Sequence, residues 1–132
     1  MGSFDAETLA RQLAALGRDL QDEVIRLGEL EEEAVEAEGK YRQLDEAYED
    51  ALAKGMLDSD RGSAEARKAE ARLGVTSYRL EAHVAYLEWG RAKGRLRTQQ
   101  ASLTALHKRI EVGRSLLSRE KALLSLGGIG EV

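Results

Sequence analysis

The chain has 132 residues, with no cysteine, no proline, one Phe, one Trp and four Tyr. This composition excludes disulfides and thiolate metal sites, and it provides too few large side chains for a round hydrophobic core. The charged fraction of 33% is typical of long helices and coiled coils. No apolar run approaches the roughly 18 residues that a membrane span needs. No secretory leader is visible, so we expect a soluble cytoplasmic protein with no membrane partner.

The two halves of the chain carry opposite charge. Residues 1–60 contain 17 acidic and 6 basic side chains, whereas residues 61–132 contain 7 acidic and 14 basic ones. The net charge of −4 is therefore the sum of −11 in the first half and +7 in the second. This polarity predicts either pairing within the molecule or a charged partner.

Residues 5–54 are predicted to form the first helix, with Asp5 as its N-cap. The glycines inside it, at positions 17, 28 and 39, are expected to soften it locally. Its contact face repeats every seven residues, which is the period of a coiled coil, and Glu23 is the one polar residue in this set. The apolar members are Leu13, Leu16, Leu20, Leu27, Leu30, Ala34, Ala37, Tyr41, Leu44, Tyr48 and Ala51.

Residues 55–63 are predicted to form a turn, in which Gly55 ends the first helix in a left-handed cap and Ser63 caps the second. The second helix is predicted over residues 64–126, followed by a flexible, glycine-rich tail over residues 127–132. Its contact face has the same seven-residue repeat. The members are Val75, Tyr78, Ala82, Ala85, Trp89, Ala92, Leu96, Gln99, Leu103, Leu106, Ile110, Leu117 and Leu124.

The two repeats predict an all-α fold, a single domain over residues 1–132 that forms a long antiparallel helical hairpin of the coiled-coil type. Facing positions in such a hairpin have residue numbers with a constant sum, and a turn centred between residues 59 and 60 gives 119. This register places Leu44 against Val75 and Leu13 against Leu106.

A lone hairpin leaves apolar side chains of the second helix uncovered. One set, here called the outer stripe, consists of Leu73, Leu80, Val84 and Leu87. A second set lies at the C-terminal end, where the predicted register leaves no facing residue. Its members are Leu116, Leu117, Leu123, Leu124 and Leu126. Exposed apolar surface of this kind predicts a homo-oligomer, either a dimer or a larger bundle, and a protein partner.

Basic residues crowd the second half of the second helix. They are Arg91, Lys93, Arg95, Arg97, Lys108, Arg109, Arg114, Arg119 and Lys121. In the predicted register they face residues before Arg26 and not the acidic residues between 29 and 50, so we expect only incomplete neutralisation within the molecule. One interpretation is salt-sensitive contact with nucleic-acid phosphates. The alternatives are a solvated surface, or pairing with acidic residues of another subunit.

No catalytic, cofactor or metal site is predicted. The glutamates between residues 29 and 38 point in different directions around their helix and lack the spacing of a calcium loop. His83 and His107 lie on one helix roughly 36 Å apart, which is too far to share a metal ion. Long paired helices also form no concave pocket for a small-molecule substrate, so we expect no enzyme.

Three stretches carry a resemblance to known proteins: Arg61-Gly-Ser-Ala-Glu-Ala-Arg-Lys-Ala69, Leu96-Arg97 and Ile110-Glu-Val-Gly-Arg-Ser115. From Arg61 onward, over about half the chain, the sequence resembles small helical coiled-coil accessory proteins of bacteriophages and prophages. Such proteins are often encoded near recombination and replication genes. The resemblance implies an accessory protein that acts with a single-strand-annealing or single-strand-binding protein, and it implies no catalytic residue.

Our leading hypothesis is therefore a phage-type coiled-coil adaptor, acting in the host cytoplasm if it is phage-encoded. It would self-associate and dock a protein partner through its C-terminal helix. The alternative is a nucleic-acid-binding recombination or replication accessory that uses the basic residues. A third hypothesis is a virion assembly or scaffolding component.

Overall fold

The computed structural model describes the backbone of residues 6–130 and the side chains of residues 6–127. Its elements are three helices: α1 (Ala6–Asp58), α2 (Ala64–Gly74) and α3 (Thr76–Gly130). No strand occurs between residues 6 and 130, so the all-α prediction is confirmed. The predicted N-cap Asp5 and the last two residues of the predicted tail lie outside the described residues.

The turn begins later than the sequence predicts, because α1 continues through Gly55 to Asp58. Gly55 is a helical residue and not a left-handed cap, so that prediction was wrong. Its role is close packing, since a Cβ atom built on Gly55 would lie 3.1 Å from the Ala71 Cβ and 3.3 Å from the Ala71 Cα. The prediction that Ser63 caps the second helix is confirmed, because its hydroxyl accepts a hydrogen bond from the Ala66 backbone N–H at 3.1 Å.

The predicted second helix is interrupted at Val75, whose φ of −112° and ψ of 19° separate α2 from α3. Next to it, the Thr76 hydroxyl donates to the Leu73 carbonyl at 3.0 Å, a local bond that competes with helical pairing. α3 then runs without interruption past Gly90 and Gly94. It also extends to Gly130, beyond the predicted end at residue 126, because glycine costs only about 1 kcal/mol in a helix and no proline forbids it.

The chain divides into two compact units, which are described separately. Unit 1 comprises residues 1–28 and 97–132, and unit 2 comprises residues 29–96. In unit 1 the start of α1 packs antiparallel to the second half of α3, because Leu13 lies beside Gly113 and Glu23 bonds to Gln99. The buried side chains of this unit are large and apolar: Leu9, Leu103, Leu106 and Ile110.

In unit 2 the rest of α1 packs antiparallel to α2 and to the start of α3. Glu33 pairs with Arg95 and Lys40 pairs with Glu88, each at 3.6 Å. The buried side chains of this unit are mostly alanines, which allow a close approach of the helices. They are Leu30, Ala34, Ala71, Val75, Ala82, Ala85 and Ala92.

The pairing register differs from the prediction by about one heptad in each unit. The residue numbers sum to 126 for Leu13 and Gly113, and to 128 for Glu33 and Arg95, whereas the predicted sum is 119. A shift of seven residues is close to two helical turns, so it keeps the same leucines on the contact face. The hydrophobic repeat alone therefore cannot fix the register.

Candidate interaction surfaces

The outer stripe is solvent-exposed in unit 2, as the sequence predicts. The exposed fractions are 79% for Leu73, 62% for Leu80, 47% for Val84 and 46% for Leu87. Val75, Ala82 and Ala85, which lie on the opposite side of the same stretch, are at most 6% exposed. The stripe is therefore a second apolar face that α1 leaves open, and large apolar residues aligned in this way mark interaction sites.

A groove runs beside the outer stripe, and we call it the Leu80 groove. Its lining residues are Lys40 and Leu44 from α1, and Leu80, Glu81, Val84, Ala85 and Glu88 from α3. The apolar members come from both helices, whereas the two glutamates stand seven residues apart on α3. Lys40 pairs with Glu88 at 3.6 Å, but Glu81 has no ion pair among the described residues. Glu81 and Glu88 were not predicted as site residues, although their seven-residue spacing beside the outer stripe is visible in the sequence.

The C-terminal leucines are less uniformly exposed than predicted. Leu117 is half-buried, and Leu116 lines a groove with Leu9 and Leu13, because the one-heptad shift brings the start of α1 opposite these residues. Leu123, Leu124 and Leu126 are 56%, 61% and 65% exposed. We call residues 116–126 the C-terminal segment, and its uncovered part begins after Leu117.

The first four basic residues are partly neutralised, by an acidic residue that the predicted register does not place opposite them. The Arg95 guanidinium pairs with Glu33 at 3.6 Å, and the Lys93 Nζ lies 3.9 Å from the centroid of the Trp89 ring. The shift in register brings the glutamates after residue 28 opposite this part of α3. Arg91 is exposed and forms no ion pair among the described residues.

In unit 1, three of the basic residues form a row on the surface of α3. Arg97, Lys108 and Arg119 follow one another at 11-residue intervals. That interval is about three helical turns, so the three side chains lie along one line roughly 16 Å apart. All three are exposed, and none forms an ion pair within the described part of the chain. Arg109, Arg114 and Lys121 are also exposed but point to other sides of the helix.

An aromatic cluster ties α1 to α3 in unit 2. The Tyr41 and Trp89 rings stack with centroids 5.6 Å apart, and Tyr86 makes edge contacts with both rings at 5.3 and 6.3 Å. Lys93 and Arg42 lie over the Trp89 ring at 3.9 and 5.8 Å. The prediction that Trp89 lies on the contact face is confirmed, but the predicted sum of 119 would pair it with Leu30 and does not involve Tyr86.

A polar cluster interrupts the apolar contact face of unit 1. The Gln99 side-chain amide donates to the Glu23 backbone carbonyl at 3.0 Å and also to the Glu23 carboxylate. The Ser102 hydroxyl donates to the same carboxylate at 3.2 Å. Glu23 and Gln99 are the polar members of the two predicted contact faces, and the structure pairs them directly. Partners this specific favour one register over its heptad-shifted alternatives.

The described residues hold no group of three or more histidine, aspartate or glutamate side chains arranged for a metal ion. His83 lies in a groove with Tyr41, Tyr48 and Tyr86 in unit 2, whereas His107 is exposed in unit 1. None of the described helices is long and apolar enough to cross a membrane. Comparison with protein-family models, curated proteins and solved structures finds no significant match.

Proposed function

We propose that the protein is a non-enzymatic coiled-coil adaptor that self-associates and docks a protein partner through its C-terminal helix. The observation that carries this proposal is the outer stripe, where four large apolar side chains are 46–79% exposed on one side of unit 2. Burying such side chains stabilises an interface by about 25 cal/mol per Å² of apolar surface removed from water. In an isolated chain these side chains stay exposed to water, so this stabilisation is not gained.

In this proposal α1 pairs with α2 and α3 along a single antiparallel hairpin, and self-association into a dimer or a larger bundle buries the outer stripe of each hairpin. The contacts within each unit support the antiparallel pairing. The exposed leucines after residue 117 support the docking role of the C-terminal segment. By its sequence resemblance the adaptor is of the bacteriophage accessory type, and we place it in the cytoplasm.

The docking role predicts that a protein partner depends on the C-terminal leucines. The tagged chain would be recovered from cells that carry its gene, with and without nuclease, beside the variant Leu123→Glu/Leu126→Glu. We expect a partner that survives nuclease treatment and is lost with the variant, because two buried carboxylates would disrupt an apolar contact. The matched control Val24→Glu/Ile25→Glu changes two side chains that are 51% and 62% exposed and should retain the partner. Equal recovery with both variants would exclude the C-terminal segment as the docking site.

A second candidate function, nucleic-acid binding, is favoured by the row of Arg97, Lys108 and Arg119. Three exposed cations on one line of a helix, without acidic partners among the described residues, suit contacts with separate phosphates along a nucleic-acid backbone. No aromatic residue accompanies this row after residue 97. Stacking on bases is therefore not expected there, and affinity should be largely independent of sequence.

This candidate predicts salt-sensitive DNA binding that depends on the row. Changing Arg97, Lys108 and Arg119 to Glu should remove about three phosphate contacts and lower the slope of log affinity against log salt by roughly 3. In the control variant, three other arginines, Arg42, Arg61 and Arg67, are changed to Glu. Each of them already has a partner within the chain: Arg42 pairs with Glu38, Arg61 pairs with Glu70, and Arg67 donates to the Arg61 carbonyl. This control changes net charge equally and should bind more tightly than the row variant. Fluorescence anisotropy at several salt concentrations measures both slopes, and identical slopes would exclude the row as the contact.

A further inference from the structure

We infer that the C-terminal segment of one copy of this chain occupies the Leu80 groove of a second copy. The inference rests on the proposed self-association and names the partner of both exposed surfaces. The groove offers apolar side chains from α1 and α3, including Leu80 at 62% and Val84 at 47% exposure. An amphipathic helix that lies in such a groove covers them with its own apolar residues.

The C-terminal segment matches the groove in the spacing of its leucines. Leu123 and Leu126 are 56% and 65% exposed and lie three residues apart on one side of the segment. Leu80 and Val84, which line the groove, lie four residues apart. Both spacings are close to one helical turn, roughly 5 Å along the axis, so the two exposed leucines can contact both groove residues at once.

The unpaired charges beside the two surfaces are opposite. Glu81 lines the groove and forms no ion pair among the described residues, whereas Glu88 pairs with Lys40, which also lines the groove. In the segment, Arg119 lies four residues before Leu123 and seven before Leu126, so it shares their side of the helix. Arg119 is exposed and forms no ion pair among the described residues. Complementary charges of this kind select the partner and its orientation more than they add affinity.

Each copy contains one groove and one segment, so two copies can satisfy both surfaces by exchanging segments. A reciprocal exchange closes into a dimer with the same contact made twice. A foreign protein that binds the C-terminal segment then competes with this contact. The protein partner of the proposed adaptor and the second copy are therefore alternatives at one surface.

A charge exchange between two differently tagged copies tests the inference. Variant G carries Glu81→Lys, and variant S carries Arg119→Glu. In G the lysine introduced into the groove faces Arg119, and in S the glutamate introduced into the segment faces Glu81, so co-purification of two tagged copies of either variant alone should fall roughly fivefold. In a mixture of G and S, the segment of S meets the groove of G with opposite charges, and recovery of the mixed pair should rise above that of either variant alone. Both positions are exposed on α3, and circular dichroism checks that the variants remain helical.

A control variant and two further outcomes distinguish a failure of this segment-in-groove contact from a failure of the proposed self-association. Glu46→Lys makes the same charge change at an exposed position of unit 2 outside the groove, and mixing it with S should restore nothing. If wild-type copies associate but the G and S mixture recovers no better than either variant alone, the segment does not occupy the groove. If wild-type copies do not associate at all, the proposed self-association fails, and this inference fails with it.

Discussion

Replacing Trp89 by alanine should lower the free energy of unfolding by about 2 kcal/mol. Burial and ring contacts of a large aromatic side chain are worth roughly 3–5 kcal/mol when it is fully enclosed, and Trp89 is half-buried. The variant loses the stack on Tyr41, the edge contact with Tyr86 and the cation contact with Lys93. Urea unfolding, followed by circular dichroism at one fixed protein concentration, measures the change, because association also alters apparent stability.

Tyr78 provides the matched control for this prediction. It lies on the same helix and is 45% exposed, and it makes no ring contact among the described residues. Tyr78→Ala should therefore cost less than 1 kcal/mol, roughly the range of surface substitutions. Trp89→Leu, which keeps apolar volume but removes the ring contacts, should fall between the two alanine variants. Equal costs for Trp89→Ala and Tyr78→Ala would show that the aromatic cluster contributes nothing to the packing of unit 2.

A disulfide between positions 55 and 71 should stabilise the chain by about 3 kcal/mol, the gain associated with closing a loop of roughly 15 residues. A Cβ atom built on Gly55 lies 3.1 Å from the Ala71 Cβ, and disulfides hold these atoms at about 3.5–4.5 Å. Relaxation by less than 1 Å is then sufficient. The chain has no cysteine of its own, so the variant Gly55→Cys/Ala71→Cys can form only one intramolecular disulfide. Thermal unfolding of the oxidised and reduced forms measures the gain.

The control for this disulfide is the pair that the hydrophobic repeat alone would select. A register sum of 119 places position 55 opposite position 64, which lies seven residues, or about 10 Å of helix, away from Ala71. Gly55→Cys/Ala64→Cys should remain reduced under oxidation conditions that close the first pair. Preferential closure of the 55 and 64 pair would show that the helices follow the register predicted from the sequence.

The sequence predicts the helices well because their apolar residues repeat so regularly. The buried Leu103, Leu106 and Ile110 of unit 1 all belong to that repeat. The register was missed because Gly55 was interpreted as a helix end, whereas it admits the close approach of Ala71 inside a longer α1. Glycine is suited both to ending a helix and to close packing inside one. At Gly55 the choice depends on Ala71, which lies 16 positions further along the chain.

The candidate surfaces could be predicted only in part for the same reason. The outer stripe was identified correctly as exposed, because its position depends on the local helical spacing of α2 and α3 and not on their pairing with α1. The exposure of the C-terminal leucines and the pairing of the basic residues both depend on the register. Leu117 is therefore half-buried, and Arg95 pairs with Glu33. Contacts between helices, such as the Tyr41 and Trp89 stack, can be predicted only when the pairing register is known.

Sedimentation equilibrium of the wild-type chain and of Leu80→Glu/Leu87→Glu tests self-association through the outer stripe most directly. We expect the wild type to exceed its monomer mass of 14.5 kDa and the variant to sediment as a monomer. The control Val35→Glu/Leu57→Glu changes side chains that are 70% and 86% exposed on α1 and should sediment like the wild type. A wild-type chain that remains at 14.5 kDa across micromolar to millimolar concentrations would contradict the proposal.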